Sequence, residues 1–247
     1  MSRASLRGLT AAAPVLALLA IWHLAVVASG SLIFPTPVQV AAGLIDLARQ
    51  GLLLKHVVAS LFRVTVGYLL AVALAVPVGM LMGWFASVHT FLNPLVQGLR
   101  PISPIAWIPL AVLWFGIGLS GKIFIIFIGS FFPVLLNTIA GVRGVPPILI
   151  TAARTFGCSP LQLTTRVCIP AALPTIATGL RIAFGTAWMT IIAAEMVASK
   201  SGLGHMIIDG MEILRSDVVI VGMAAIGVLG FLFDALFRNI EERLKER

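Results

Sequence analysis

Charge is what this sequence has least of. Aspartate and glutamate number 9 among 247 residues, and all charged side chains together make up 11% of the chain, against roughly 25% in a soluble domain. A water-soluble globule of this size would lack the polar surface to coat itself, so the bilayer is the solvent for most of the chain. The shortage of carboxylates also removes several chemistries. The apolar runs are nearly free of Asp and Glu, which argues against proton or sodium coupling at the membrane midplane. They hold no nucleophile, dyad or ligand cluster of the kind an intramembrane enzyme needs. Cysteine is almost absent too. Cys158 and Cys168 have no histidine or further cysteine near enough to complete a metal site. Both fall in a connector assigned below to the cytoplasm, so free thiols are expected rather than a disulfide. No metal or other cofactor is expected on this chain.

What is present is apolar length. Hydrophobic residues make up 60% of the chain, with a mean hydropathy of +1.08. In lipid the backbone must satisfy its own polar groups, which leaves helices or a closed barrel. Apolar runs of about twenty residues select helices. The expected fold is an all-α integral membrane protein, one transmembrane domain over 1–247, with about six spans. These lie near Ala11–Ala28, Val64–Trp84, Pro94–Phe115, Ile123–Gly141, Ala171–Ala194 and Val218–Phe237. The first run, 11–28, also resembles a signal peptide with Ala28-Ser29-Gly30 as a cleavage site. Its apolar stretch exceeds the roughly 7–15 residues of a secretory signal, so it reads as a retained span. Phe34-Pro35-Thr36-Pro37 breaks and restarts the helix before an amphipathic stretch, Val38–Gln50, too short and polar to cross. Pro101, Pro104 and Pro109 predict a kink or local unwinding inside the third run.

The net charge of +8 follows from topology. With six spans both termini share one side. That side holds Arg3, Arg7, Arg100, Arg143, Arg154, Arg166, Arg181, Arg238, Arg243, Lys245 and Arg247; the other holds Arg49, Lys55, Arg63, Lys122, Lys200 and Arg215. The bias puts the termini in the cytoplasm. No polar segment interleaves Lys or Arg with aromatics, so a nucleic-acid surface is not expected. Gly116-Ile117-Gly118-Leu119-Ser120-Gly121-Lys122 fits the spacing of a phosphate loop, but Ile123 follows where Ser or Thr must coordinate magnesium. It also joins two spans, and reads as a tight interhelical turn.

The connector Val142–Pro170 is the informative segment. Pro146-Pro147 can start a helix over Ile148–Phe156, Gly157 can supply a sharp bend, and Ser159 makes an N-cap with Pro160 at the first position of a second helix, Leu161–Cys168. Pro170 and Pro174 mark the entry to the next span. The result is a helix, a turn and a second helix on the cytoplasmic face, either a structural loop or an element that receives force from a partner.

Thr151-Ala152-Ala153, then Gly157 after three residues, then Val167-Cys168-Ile169-Pro170 after nine more, resemble the E-A-A-x3-G-x9-I-x-L-P signature of ABC importer permeases. Thr151 stands for Glu, Val167 for Ile and Ile169 for Leu. The last two swaps conserve volume; Thr151 removes the acidic group and with it any carboxylate contact at that point. Phe34-Pro35-Thr36-Pro37, the run Arg100–Pro109, Trp114-Phe115-Gly116-Ile117-Gly118, and Ala194-Glu195-Met196 before Gly202-Leu203-Gly204 are similar to the nitrate/sulfonate/taurine branch, so the resemblance covers nearly the whole chain. It implies a type I importer permease with a core over 55–237 and a coupling segment over 145–170. Within that segment Thr151, Ala152, Ala153, Arg154, Phe156, Gly157, Ser159, Pro160, Val167, Ile169 and Pro170 would meet the ATPase. It further implies a permease homodimer, two cytoplasmic subunits that bind ATP and magnesium, and a periplasmic or lipid-anchored solute-binding protein. The location implied is the bacterial inner membrane. The implied cargo is a small anion such as a sulfonate, taurine or nitrate, with relatives for bicarbonate, aromatic acids and vitamin precursors.

Six polar or amphipathic residues on the spans are candidates for the translocation pathway: Ser103, Trp107, Asn137, Arg181, Thr186 and Glu195. Glu195 has a competing reading as an interfacial carboxylate paired with Lys200 or backbone. Arg181 either snorkels to the interface or lines the pathway.

Overall fold

The computed structural model describes residues 3–30, 33–197 and 199–245, with side chains at 14, 16–30, 33–197 and 199–243. The side chains of Arg3, Arg7, Lys245 and Arg247 lie outside that set. Among the described residues every regular element is helical: α1 (Arg3–Ser29), α2 (Pro37–Arg49), α3 (Leu52–Trp84), α4 (Ala86–Leu99), a 3-10 turn (Pro104–Trp107), α5 (Ile108–Phe115), α6 (Leu119–Arg143), α7 (Pro147–Thr155), α8 (Pro160–Leu163), α9 (Ile169–Val197), α10 (Leu203–Glu212) and α11 (Ser216–Lys245).

Among the described residues four stretches are long and apolar enough to cross a bilayer: Leu52–Trp84, Leu119–Arg143, Pro160–Val197 and Ser216–Arg243. A fifth results if Ala86–Leu99 and Pro104–Phe115 count as one span bent by 82°. The described apolar part of α1, Leu16–Ser29, is shorter than those. The third run is therefore unwound at a break, one of the two outcomes its prolines predict. Pro104 and Pro109 occupy the first turns of the 3-10 turn and of α5, so each begins a helical segment instead of interrupting one. The second span starts at Leu52 and not near Val64. Gly51, in the left-handed region at φ 70°, closes the turn after α2, and Lys55, His56 and Arg63 sit on the helix itself.

Two apolar helices in lipid gain little from burying apolar surface against each other, so close packing has to come from shape. α3 supplies it with small residues every fourth position: Gly67, Ala71, Ala75, Gly79 and Gly83. A β-carbon on Gly67 would stand 2.7 Å from the Ile126 side chain, one on Gly79 2.7 Å from Thr138, and one on Gly83 2.6 Å from Val142. All three neighbours lie on α6. Val64, Ala71, Ala75 and Met82 are fully buried along this seam with Ile126 and Leu135 opposite. The buried hydroxyls of Ser130 and Thr138 donate to the carbonyls of Ile126 and Val134 at 2.8 Å each, so neither is left unsatisfied in the seam. α9 packs on the other side of α6, with Gly141 against Ala172 and Thr175 and Gly179 against Asn137. α11 closes the bundle, held by the Trp188 indole donating to the Ile226 carbonyl at 3.2 Å.

Gly79→Leu inserts a branched side chain where less than a methyl group fits. We expect a loss of about 1–3 kcal/mol, read as a lowered melting temperature of the purified protein in detergent. Gly98→Ala, where a β-carbon meets nothing within 4 Å, should not lower the melt, since alanine is the better helix former.

Candidate functional site

The connector between α6 and α9 folds as its local signals dictate. Pro146 precedes α7 and Pro147 occupies its first turn. At the other end Gly157 adopts φ 73°; its N–H donates to the Arg154 carbonyl at 3.0 Å, and that of Cys158 to Ala153 at 3.1 Å. These two bonds form a Schellman cap, which needs the left-handed residue that glycine supplies without strain. Ser159 then opens α8 with a reciprocal capping box: the Gln162 N–H donates to Ser159 Oγ at 3.3 Å and the Ser159 N–H to Gln162 Oε1 at 2.9 Å. Ala153, Leu163 and Cys168 form a small core with Trp84 at the end of α3, which fixes the unit to the bundle. Thr151, Ala152, Arg154, Ser159 and Pro160 face outward, Val167 and Ile169 are half-buried, and Phe156 is 87% exposed.

The second helix departs from expectation in one respect. It does not stop before Pro170. A widened turn over Thr164–Cys168, with the Ile169 N–H donating to the Thr164 carbonyl, leads directly into α9. Pro170 lacks the N–H that would pair with the Arg166 carbonyl, and a five-residue turn just ahead of it relaxes that loss. Helical structure therefore runs from Pro160 to Val197, from the connector to the opposite end of the bundle.

At that opposite end sits Glu195, 1% exposed. Its Oε1 accepts from Arg63 at 2.6 Å, and its Oε2 from Ser60 Oγ at 2.7 Å and from the Gly204 N–H at 3.2 Å. Arg63 also donates to the Ser201 carbonyl at 2.7 Å. His56 Nδ1 accepts from the Gly202 N–H at 3.0 Å, and Ser60 Oγ from the Leu203 N–H at 2.9 Å. His56, Ser60 and Arg63 share one face of α3 and clamp the turn between α9 and α10. Gly202 and Gly204 are glycine for a steric reason: a β-carbon on either would collide with Glu195. The carboxylate's partner is therefore Arg63, not Lys200. A span starting at Val64 leaves Arg63 in a loop, where no pair with Glu195 is visible. Lys122, 6% exposed, lies buried in the field of the same pair.

The remaining candidates divide. Arg181 does not stand free: it bridges to Asp234 at 2.8 Å and to Glu241 at 3.3 Å on α11. Asn137 and Thr186 share a cleft of about 360 Å³ between the broken span, α6 and α9, and Arg100, which by sequence position belongs with the loop charges, lines it with them. Ser103 is exposed beside this cleft without lining it. Trp107 packs its ring edge-on to Phe124 at 6.2 Å, and its indole N–H is buried without a partner among the described residues.

Apolar spans, a broken helix and a capped connector describe a membrane transport protein of the permease class. Residues 75–246 match the model of the binding-protein-dependent transport system inner membrane component family, and the chain belongs to that family. It is 47% identical over 194 residues to a putative ABC transporter permease protein of Methanocaldococcus jannaschii, covering 78% of this chain and 73% of that protein. It is 40% identical over 218 residues to the taurine transport system permease protein of Escherichia coli, covering 86% and 79%. It is 34% identical over 248 residues to the nitrate import permease protein of Leptolyngbya laminosa, covering 96% and 88%. Among solved structures, the inward-facing MetNI methionine ABC transporter shares the fold at a TM-score of 0.71 and 21% identity, over 80% of this chain and 98% of that one. This chain is an ABC importer permease subunit.

Glu195→Ala strands Arg63 without its counter-ion in a buried site, and should cost about 3–5 kcal/mol, seen as a lower melting temperature. Arg63→Met in the Glu195→Ala background should recover part of the loss. A double variant no more stable than Glu195→Ala alone would show that the Ser60 and Gly204 bonds, rather than the charge pair, hold this turn.

Proposed function

We propose that the chain is the membrane-embedded half of an ATP-driven importer for a small anion of the sulfonate, taurine or nitrate kind, working as a homodimer with two ATPase subunits and a solute-binding protein. The relatives named for taurine and nitrate support the anion class. The inner-membrane family supports a location in the cytoplasmic membrane, and the loop-charge bias supports both termini inside. ATP and magnesium belong to the ATPase partner, and the chain performs no covalent chemistry of its own.

One observation carries the coupling role. The tip of the capped helix–turn–helix presents Phe156, 87% exposed, and Leu161, 74% exposed, on a unit both of whose helix ends are satisfied internally. A large aromatic held out on a rigid support is the kind of anchor that fills a partner's pocket. The mechanism follows from continuity. Closure of the ATPase pair on ATP moves the connector, and the helical run Pro160–Val197 carries that displacement as one body to the Glu195 clamp. The two permease copies rock around a central path, opening it alternately to the binding protein and to the cytoplasm. Thr151 offers the ATPase a hydroxyl where the family signature has a carboxylate, so a charged contact there is replaced by a neutral hydrogen bond.

Phe156→Ala should weaken association with the cognate ATPase by about 2 kcal/mol or more while leaving the permease's own melting temperature unchanged, because so exposed a side chain contributes little to the packing of its own chain. Co-purification and a melt on the same preparation measure the two quantities. Gly157→Val, which forces a β-branched residue into the left-handed region, should also reduce association, and Gly157→Asn should largely spare it. Wild-type levels of ATPase on the Phe156→Ala and Gly157→Val proteins would defeat the proposal.

A further inference from the structure

The cationic side chains on the spans are not equivalent. Arg63 is neutralised by Glu195, Arg181 by Asp234 and Glu241, Arg143 donates to the Met82 carbonyl at 3.4 Å, and Lys122 is buried in the field of the Arg63–Glu195 pair, away from any open cleft. Arg100 is different. It ends α4 at the break of the bent span, is exposed, and makes no ion pair or side-chain hydrogen bond among the described residues. Arg100 lines the same cleft as Gly129, Pro133 and Asn137, residues from the middle of α6, and as Ile182 and Thr186 of α9. Gly129 and Pro133 are deep in the bilayer, since they stand near the centre of α6, which runs from Leu119 to Arg143 and is longer than the hydrocarbon is thick.

An uncompensated guanidinium at such depth cannot face lipid tails without a large cost; it has to face water or a partner of opposite charge. The walls of the cleft fit the second role. Asn137 Nδ2 donates to the Pro133 carbonyl at 2.8 Å and Thr186 Oγ to the Ile182 carbonyl at 3.1 Å. Each side chain is thereby turned along its helix and keeps polar capacity: a second amide hydrogen on Asn137, and the Thr186 oxygen. Among the described residues no carboxylate lines the cleft. One fixed cation, with an amide donor beside it and no negative charge, is the chemistry that attracts a small oxyanion and repels a cation.

We propose that Arg100 is the charge-selecting residue of the translocation pathway, holding a passing oxyanion in the cleft it shares with Asn137 and Thr186. This rests on the importer reading above and adds to it a residue that position along the chain alone does not separate from the cytoplasmic loop charges.

The test uses the permease assembled with its cognate ATPase in proteoliposomes. Thr186→Cys is introduced with Cys158 and Cys168 left in place, and the parent chain serves as the blank. Labelling of the introduced thiol is followed with two methanethiosulfonate reagents of similar size, the sulfonatoethyl anion and the trimethylammonium-ethyl cation, each rate normalised to a free thiol. The anion should react about tenfold faster than the cation. Arg100→Gln should bring the ratio to about one, and Arg100→Lys should keep most of the preference, as a charge effect requires. An unchanged ratio in Arg100→Gln, or a thiol in the Thr186→Cys variant that neither reagent reaches, overturns the proposal. ATP-driven uptake of labelled taurine and nitrate by the parent complex, supplied with its cognate solute-binding protein, is scored separately. A complex that imports neither but keeps the charge preference counts against the importer reading, while the selectivity assigned to Arg100 stands.

Discussion

Everything in this bundle depends on how closely α3 and α6 can approach. Hydrocarbon gives two apolar helices no reason to prefer each other over lipid, so contact has to be made worthwhile by dense packing. The run Gly67, Ala71, Ala75, Gly79, Gly83 removes side-chain bulk from one stripe of α3 and lets the two backbones meet. The consequences extend beyond the seam. Arg63 and Ser60 stand on α3 within two turns of Gly67, and their reach to Glu195 on α9 is fixed by the spacing that the small residues set. The same spacing leaves the far side of α6 free to form, with α9 and the broken span, the cleft that Arg100 lines.

Local signals are legible in the sequence because the forces behind them are local. Ser159 and Gln162 cap each other across three residues, and Gly157 turns because a neighbouring carbonyl needs its N–H. No tertiary knowledge is required for either. Prolines likewise announce that the third run cannot be a straight helix, but nothing in Pro101 or Pro104 encodes an angle of 82°. That angle reflects where the two halves pack, the first against α3 and the second against α6.

Long-range pairing is not legible. Arg63 and Glu195 are 132 positions apart, and without the fold the nearest cation in sequence, Lys200, is the natural guess. The difficulty has a definite origin. Polar residues at 55, 56 and 63 suggest a stretch outside the helix, whereas an arginine whose charge is met by a buried carboxylate can sit on the span itself. Arg181 is obscured for the same reason, since Asp234 and Glu241 come from the last helix. Arg100 looks like a loop charge by position, and only its place in the cleft beside Asn137 and Thr186 sets it apart. The glycines of Gly202-Leu203-Gly204 are visible as a pattern, but their cause, the close approach of the Glu195 side chain and the Ile192 carbonyl, is not.

The doubly capped connector has a thermodynamic consequence for assembly. A loop that became ordered only on meeting its partner would lose conformational freedom at that moment, and the loss would be subtracted from the affinity. Here the Schellman turn at Gly157 and the Ser159–Gln162 box hold the docking surface in shape within the isolated subunit. Association then resembles the meeting of two finished surfaces, with a modest change in heat capacity set by the area around Phe156 rather than by folding. Such a contact can form and part repeatedly without melting, which a subunit driven through many power strokes requires.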